Sequence, residues 1–501
     1  MNKQISLKHN VIANYLGQAY KALIGIIMMP IYLSYLGSEA FGLIGFYVML
    51  QSWMQLLDLG MKPTLARESS KYRAGSIGII ELRTVLRTLE VIFVATGILV
   101  AVGIILFSNY IATSWLNVIN LDLSSVSLAI AVMAIIVATR WVSSLYTGVL
   151  SGLERQVWIN SFEIVFNTLR FVFVLIPFEV YGARIEVFFI YQMIISICEL
   201  ITISIFTYSN FDNLKEKISY SFEVLKKIYK FSFAIAFGSI IWVVVTQIDK
   251  LVLSKYISLE EYGYFSLAIV ISNGVFVLGN AIGSAIMPRM TIYSEQKKYK
   301  ELENLYFLAI EIVLLIVVPI SALLVFYGEE ILYLWTKDLV AAKNASEIMK
   351  WYVLGNAMVS MGAFAYYLQY SKGDLKFHLR GNIIYAIILI PLQIYMASNF
   401  GPIYTGILWF IVNLFVVLFW IGFIHKIFLV GKHLLWLWRN LKMFFAGYIV
   451  IYGMSFIMNI NIEYSLIELF KFIFLGIISL IFTFIFSTNL KRKLIKRFKN
   501  A

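Results

Sequence analysis

The stretch at residues 10–33 reads NVIANYLGQAYKALIGIIMMPIYL and carries a single charged side chain, Lys21. A helix of about 20 apolar residues crosses the hydrocarbon core of a membrane, since each residue rises about 1.5 Å. The stretch runs past the length of a signal-peptide apolar region and lacks an A-x-A cleavage site, so we expect a retained transmembrane helix. Similar stretches follow at 41–60, 84–107, 124–147, 157–177, 183–208, 228–254, 262–285, 304–327, 350–370, 379–398, 403–425, 436–458 and 464–487.

The composition extends this interpretation to the whole chain. Apolar residues make up 61% of the 501 residues and charged residues 14%, whereas soluble proteins contain about 45–50% and about 25%. The largest external segment between predicted spans, at 328–349, is itself partly apolar. The sequence therefore predicts an all-α polytopic membrane protein with about 14 transmembrane helices and no soluble domain.

Positive charges indicate the orientation of the chain. Of the 41 Lys and Arg residues, 31 lie in one alternating set of loops and tails, although the formal net charge is only +13. Loops rich in Lys and Arg remain in the cytoplasm, so both termini are predicted to be cytoplasmic. This excess is expected to face anionic lipid head groups, and it gives no reason to expect a nucleic-acid partner.

A weak internal repeat predicts two related halves. Identical residues recur at an offset of 221: Tyr35 and Tyr256, Gly42 and Gly263, Glu90 and Glu311, Tyr146 and Tyr367, Gly152 and Gly373. Each half holds six spans, so the two halves share one orientation and a pseudo-twofold axis along the membrane normal. The predicted organisation is an N-terminal six-helix lobe at 1–208, a cytoplasmic linker at 209–227, a C-terminal six-helix lobe at 228–430, and two extra helices with a basic tail at 431–501.

Cations inside the predicted spans are candidate functional residues. An ionisable side chain in hydrocarbon is costly and usually faces a cavity or a partner. Lys21 lies about 16 Å into its span, near the midplane, and Arg140 and Arg170 lie in later spans of the first half. A cavity with these cations attracts an anion. Lys250 follows Asp249 near an outer helix end, where a local interfacial pair is the alternative.

Carboxylates inside the spans are candidates for ion coupling. Glu163, Glu199 and Asp249 are titratable groups in predicted helices. Glu163 lies seven residues before Arg170, so it is also a possible partner of that arginine.

Other carboxylates have a simpler explanation. Glu90 and Glu311 lie one to two turns from the predicted cytoplasmic surface and are expected to meet loop cations such as Arg83 and Arg87. Glu468 and Lys471, three residues apart, are expected to form a local pair.

Several classes of enzyme are disfavoured by missing motifs. The sequence has no G-x-x-x-x-G-K-[ST], G-x-S-x-G or H-E-x-x-H segment. Cys198 is the only cysteine and the four histidines are scattered, so neither a disulfide nor a metal site is predicted. We therefore expect a secondary transporter without a cofactor, and an anionic substrate.

Three segments resemble signatures of a known family. They are PIYLSYLGSEAFGL at 30–43, LDLG at 57–60 followed by LAR at 65–67, and QIDKLVLS at 247–254 followed by GYF at 263–265. The first segment is the most specific. Together they resemble the Wzx-type O-antigen and polysaccharide-unit flippases, in the polysaccharide branch of the multidrug/oligosaccharidyl-lipid/polysaccharide exporter superfamily.

The resemblance implies a fold and an activity. It implies two six-helix lobes around a central cavity, and movement of an undecaprenyl-pyrophosphate-linked oligosaccharide across the bacterial inner membrane. The partners would be that lipid, protons or Na⁺ as the coupling ion, membrane lipids and other polysaccharide-assembly membrane proteins. Lys21, Arg170, Arg140 and Lys250 would bind the anion, and Glu163, Glu199 or Asp249 would couple an ion to alternating access. Asp58 and Asp249, which lie in the matching segments, are equally compatible with a structural role.

Three alternatives remain open. A lipid II flippase shares the superfamily and also favours a cationic cavity. A multidrug exporter requires an acidic cavity for cationic drugs, which the basic residues of the first half oppose. A membrane glycan polymerase or ligase usually has a large periplasmic loop, which this sequence lacks.

Overall fold

A computed structural model describes residues 7–58, 60–211, 220–458 and 466–493. They form two compact units, Met1–Gly263 and Tyr264–Ala501. The helices that begin in the first unit are α1 (Leu7–Met54), α2 (Met61–Arg73), α3 (Ile79–Tyr110), α4 (Leu123–Gly152), α5 (Gln156–Phe171), α6 (Leu175–Tyr181), α7 (Ile185–Ser209), α8 (Phe222–Tyr256) and α9 (Leu259–Glu295). Those of the second unit are α10 (Tyr299–Phe326), α11 (Gly328–Thr336), α12 (Leu339–Gly362), α13 (Phe364–Ser371), α14 (Lys376–Asn399), α15 (Pro402–Phe415), α16 (Ile421–Phe428), α17 (His433–Ser455) and α18 (Leu466–Ile485).

The predicted all-α membrane architecture is confirmed. Every predicted span coincides with one of these helices or with two consecutive ones. Among the described residues, 11 helical segments are long and apolar enough to cross a membrane by length and composition. One of them, Leu16–Asp58, has 43 residues, or about 65 Å of helix, which is twice the thickness of the hydrocarbon core. It therefore accounts for two predicted spans, 10–33 and 41–60.

Gly37 separates those two spans. Its φ of 79° and ψ of 168° interrupt the helical geometry of α1. A positive φ of this kind is readily adopted only by glycine, which has no Cβ. The predicted spans leave residues 34–40 as a loop, whereas the structure joins the two spans by a break in the helix at Gly37.

Two helical segments differ from the predicted loops. The polar helix α2 occupies residues between the second and third predicted spans. The segment 328–349, interpreted as a loop, forms α11 and the first turns of α12. Residues 212–219 of the predicted linker at 209–227 lie outside the described ranges, whereas residues 222–227 form the start of α8. The predicted lobe boundaries remain predictions.

In the first unit, α4 packs against α2, α3 and α7. Small residues on α4 allow α2 to approach closely, since a Cβ at Gly152 would lie 2.1 Å from the carbonyl oxygen of Ala66. A Cβ at Gly148, one turn earlier, would lie 3.0 Å from the carbonyl oxygen of Lys62. Such pairs of small residues four apart are typical of close helix packing in membranes.

A second close approach in the first unit follows the predicted repeat. A Cβ at Gly42 would lie 2.0 Å from the Leu259 carbonyl oxygen, and one at Gly263 would lie 2.2 Å from the Ser38 carbonyl oxygen. Residues 38 and 259, like residues 42 and 263, are 221 positions apart. The contact is therefore reciprocal.

The structure identifies partners of two carboxylates, Glu90 and Glu311, for which loop cations were predicted. Glu90 accepts hydrogen bonds from Arg87 (3.2 Å), Tyr146 (3.0 Å) and Tyr208 (2.6 Å), which confirms the predicted loop cation. Glu311 forms no ion pair with a loop cation within the described ranges, which leave out residues 494–501 of the basic tail. Its carboxylate accepts from the backbone N–H groups of Asn489 (2.8 Å) and Leu490 (2.9 Å), because it satisfies free donors at the start of a helical turn.

The local pair predicted near the C-terminus is present. The Lys471 ammonium lies 2.8 Å from the Glu468 carboxylate on α18. Elsewhere in the second unit, α10 packs against α12, α17 and α18, and α12 packs against α11 and α15.

Candidate substrate cavity and buried charges

Lys21 forms an ion pair with Glu163, which joins α1 to α5. The side chains are 40% and 24% exposed, so both charges are accessible to a ligand. One residue before Lys21, the Tyr20 hydroxyl is hydrogen-bonded to Thr168 on α5. Lys21 therefore lies at a contact between two helices, with a carboxylate as its partner.

Arg170 forms an ion pair with Glu199, which joins α5 to α7. The arginine side chain is only 3% exposed, and its carbonyl oxygen accepts a hydrogen bond from Gln192 at 3.0 Å. The possible pairing of Arg170 with Glu163 is wrong. The two residues share a helix face, but seven residues of helix separate them by about 10 Å along the axis.

Arg140, on α4, connects these ion pairs electrostatically. Its guanidinium donates to the Tyr47 hydroxyl at 3.5 Å and is attracted by the carboxylates of Glu199 and Glu163. It also lies near enough to Arg170 for the two guanidinium groups to repel each other. The structure thus brings together five of the seven predicted site residues, here named the charged cluster: Lys21, Arg140, Glu163, Arg170 and Glu199.

The charge of this cluster favours an anion. Three cations face two carboxylates, so one positive charge is in excess when all five groups are ionised. Removing a charge from water is costly unless partners compensate for it. A bound anion would supply that compensation for the excess cation.

Asp249 and Lys250 form a local pair on α8. The Lys250 ammonium lies 3.1 Å from the Asp249 carboxylate and donates to the Thr246 carbonyl oxygen at 2.6 Å. This geometry matches the alternative interpretation of these two residues as an interfacial pair. Their assignment to substrate binding and ion coupling remains a prediction.

A cavity of about 460 Å³ opens beside the charged cluster, with Arg140 in its wall. Its lining comes from α1, α2, α4, α8 and the short 3-10 helix Gln55–Asp58: Gln51, Met54, Gln55, Leu56, Asp58, Gly60, Lys62, Pro63, Val137, Arg140, Trp141, Ser144, Ile240 and Val243. The Gln51 amide nitrogen and the Trp141 indole N–H are buried and have no hydrogen-bond partner within the described part of the chain. Such donors suit the hydroxyl groups of a sugar.

Asp58 lines this cavity and also forms a hydrogen bond with the backbone of α2. Its carboxylate accepts from the Lys62 backbone N–H at 3.1 Å, at the start of α2. A carboxylate at this position stabilises free N–H groups and the positive end of the helix dipole. Asp58 therefore positions the first turn of α2, from which Lys62 reaches the cavity.

Several cavity residues were not predicted from the sequence: Gln51, Gln55, Lys62, Trp141 and Ser144. A usable signal was present for Gln51 and Gln55, because these two residues are four positions apart. Polar residues at that spacing lie on one helix face. Trp141 had no such signal, because tryptophan is ordinary in membrane helices.

The bundle of apolar helices, with a cationic polar cavity inside it, defines a multi-pass membrane transporter. A family model described as "Polysaccharide biosynthesis protein" matches residues 7–294, and one described as MatE matches residues 234–395. The chain belongs to the polysaccharide biosynthesis protein family. This confirms the predicted relationship to Wzx-type flippases of the exporter superfamily.

Similar proteins support the same class. The chain is 20% identical to a "Putative O-antigen transporter" of Shigella flexneri over 413 residues, which cover 81% of this chain and 94% of that protein. Its fold is similar to that of "Lipid II flippase MurJ, inward closed conformation", with a TM-score of 0.69, 14% identity and coverage of 97% and 99%. An inward-facing multidrug resistance MATE family transporter has a TM-score of 0.66, 14% identity and coverage of 81% and 96%.

Proposed function

We propose that this protein moves an undecaprenyl-pyrophosphate-linked oligosaccharide, an O-antigen or capsule repeat unit, from the cytoplasmic to the periplasmic leaflet of the inner membrane by alternating access. The observation that carries the proposal is the position of Arg140, which belongs both to the charged cluster and to the wall of the polar cavity. Family membership and the similarity to an O-antigen transporter support the same substrate class.

The two parts of the site suit the two parts of this substrate. Arg140 and Lys62 present cations to the cavity, and paired phosphates are strong acceptors for guanidinium and ammonium groups. Gln51 and Trp141 line the same cavity, and their buried amide nitrogen and indole N–H have no partners among the described residues. In this arrangement, the pyrophosphate binds near Arg140 and the glycan occupies the part of the cavity that carries the neutral donors.

The ion pairs suggest how substrate binding and an ion gradient are coupled. A pyrophosphate competes with Glu163 for Lys21 and with Glu199 for Arg170. A carboxylate whose cation is drawn to the anion is then available to a coupling cation. An ion drives transport only if it binds the two states of the protein with different affinity, and this exchange of partners provides such a difference. Asp249 and Lys250 are a second candidate pair for this role.

Substitution of Lys21 by Gln tests the binding proposal. We expect export of the lipid-linked glycan to fall at least about tenfold, since the loss of one charge-assisted contact costs about 1.5–3 kcal/mol. The melting temperature should change little, because a half-exposed ion pair contributes about 0–1 kcal/mol. Export is measured as surface glycan per molecule of flippase.

The matched control is Lys471→Gln, which removes the ammonium from the pair with Glu468 on α18. It should leave export unchanged. Wild-type export in well-folded Lys21→Gln protein would remove Lys21 from the site. Collapse of the proton gradient in vesicles should slow translocation, and unchanged rates there would point to another ion or to facilitated flipping.

A lipid II flippase is the second candidate, because the fold resembles that of a solved protein with that name. Deletion of the gene separates the two. Accumulation of a lipid-linked oligosaccharide repeat unit on the cytoplasmic leaflet supports our proposal, whereas accumulation of lipid II supports the alternative. The excess of cations in the charged cluster argues against a multidrug exporter for cationic drugs. The helical segment 328–349 leaves no large loop there for a polymerase or ligase.

A further inference from the structure

A second polar cavity, of about 500 Å³, lies in the second unit where several helix ends meet. The contributing segments are the end of α9, the start of α10, the turn after α13 and the turn between α16 and α17. The lining residues are Ser294, Tyr299, Leu302, Glu303, Lys372, Phe428, Leu429, Val430 and Lys432. None of them belongs to the charged cluster or to the cavity beside it.

Lys372 is an ammonium that lacks an anionic partner within the described ranges. Its Nζ donates to the Phe428 carbonyl oxygen at 3.0 Å and lies 5.7 Å and 5.5 Å from the ring centroids of Tyr299 and Phe428. Partial burial lowers the pKa of this ammonium, because loss of hydration disfavours its charged form. An anion in the cavity would restore the stabilisation that water provides elsewhere.

Lys432 provides the second cation of this cavity, and Glu303 restrains it. The Lys432 ammonium lies 3.0 Å from the Glu303 carboxylate, and both side chains are half-exposed. An exposed pair of this kind contributes little and exchanges partners readily. The cavity therefore offers one ammonium directly to an anion and a second one in competition with Glu303.

The surroundings indicate the depth of this cavity in the membrane. The same helix ends carry Lys297, Lys298, Lys300, Lys376 and Lys426, the pattern that predicts the cytoplasmic surface. Val430 in the cavity wall and the nearby Leu434 are 74% and 79% exposed. Cations next to exposed apolar side chains match the boundary between phosphate groups and acyl chains.

We propose that this cavity binds the phosphate group of an anionic phospholipid from the cytoplasmic leaflet. Lys372 and Lys432 bind the phosphate oxygens, and the acyl chains lie outward over Val430 and Leu434. Free phosphate shares the binding chemistry but lacks the acyl chains. The proposal is independent of the transported substrate, since the cavity lies in the second unit and the transport cavity in the first.

The test uses the purified full-length protein in micelles of an uncharged detergent, titrated with phosphatidylglycerol while the melting temperature is recorded. Binding to the folded state alone raises the melting temperature with lipid concentration. We expect a saturable increase with phosphatidylglycerol and little change with added phosphatidylcholine or inorganic phosphate. Lys372→Gln and Lys432→Gln should each raise the half-saturating lipid concentration about tenfold or more, whereas Lys343→Gln, on α12 outside the cavity, should not.

Glu303→Gln separates ligand binding from a structural role. Removing this carboxylate frees Lys432 and removes repulsion, so half-saturation should occur at about threefold lower phosphatidylglycerol. A structural role for the Lys432–Glu303 pair predicts weaker binding instead. An equal increase with inorganic phosphate would overturn the lipid assignment. Wild-type titration of both folded lysine variants would overturn the site.

Discussion

Two groups of interior side chains, one in each unit, connect helices through different chemistry. In the first unit, charged side chains connect helices through the pairs Lys21–Glu163 and Arg170–Glu199. In the second unit, neutral side chains form a buried chain. The Tyr306 hydroxyl is 2.8 Å from His425 Nε2, His425 Nδ1 is 3.1 Å from His433 Nδ1, and His433 Nε2 is 3.1 Å from the Leu418 carbonyl oxygen.

One set of proton positions satisfies every contact of this chain without a net charge. The Leu418 carbonyl only accepts, so His433 carries its proton on Nε2 and accepts on Nδ1. His425 then donates from Nδ1 and accepts at Nε2 from Tyr306. A neutral network connects helices without the large desolvation cost of ions. The contrast indicates that the Arg170–Glu199 pair, whose arginine side chain is only 3% exposed, is expensive for stability alone, which favours a binding role for it.

Substitution of Arg170 should have the largest effect, and it tests the role of the buried charges in the first unit. We expect Arg170→Ala to destabilise the protein by about 3–5 kcal/mol, because it leaves Glu199 buried without its cation. Export should be lost as well. Thermal unfolding in detergent and export in cells measure the two effects.

A charge-free double variant separates stability from function at this position. Arg170→Met combined with Glu199→Gln removes both charges, and we expect most of the lost stability to return. Export should remain absent if the charges serve the substrate. Full export by this double variant would show that the pair is only structural.

The reciprocal glycine contact tests the repeat itself. Gly42→Ala and Gly263→Ala each place a methyl group about 2 Å from a carbonyl oxygen, so each should destabilise the protein by about 1–3 kcal/mol through overpacking. Similar losses are expected because the two sites are equivalent in the repeat. Thermal unfolding provides the measurement, with Gly25→Ala as control, since a Cβ there meets nothing within 4 Å.

A substitution in the neutral chain of Tyr306, His425 and His433 should have a smaller effect, and it should change stability but not transport. His425→Phe leaves the Tyr306 hydroxyl and His433 without their partner, which costs about 1–3 kcal/mol for unsatisfied buried groups. The export rate per folded molecule should stay near that of wild type. His378→Asn, which alters a histidine in contact with Asn382, is the matched control. A loss of transport in folded His425→Phe protein would contradict the division between the two units.

The sequence was informative where one residue type or one offset carried the signal. Lys21 stood out because its position, near the middle of an apolar stretch, offers no nearby route to water. Gly42 and Gly263 stood out through their shared offset. Arg170 was recognised as a candidate, but its partner was not, since spacing along one helix says nothing about the neighbouring helix that supplies Glu199.

The sequence by itself determined the class of the protein and the positions of its membrane helices. Helix length must match the thickness of the hydrocarbon core, so apolar length alone locates the spans. Only the tertiary structure decided that Lys21 faces Glu163, that Arg170 faces Glu199, and that Gln51 and Trp141 line the same cavity. These contacts depend on how each helix is rotated and packed against its neighbours, which the spacing of residues within one helix does not specify.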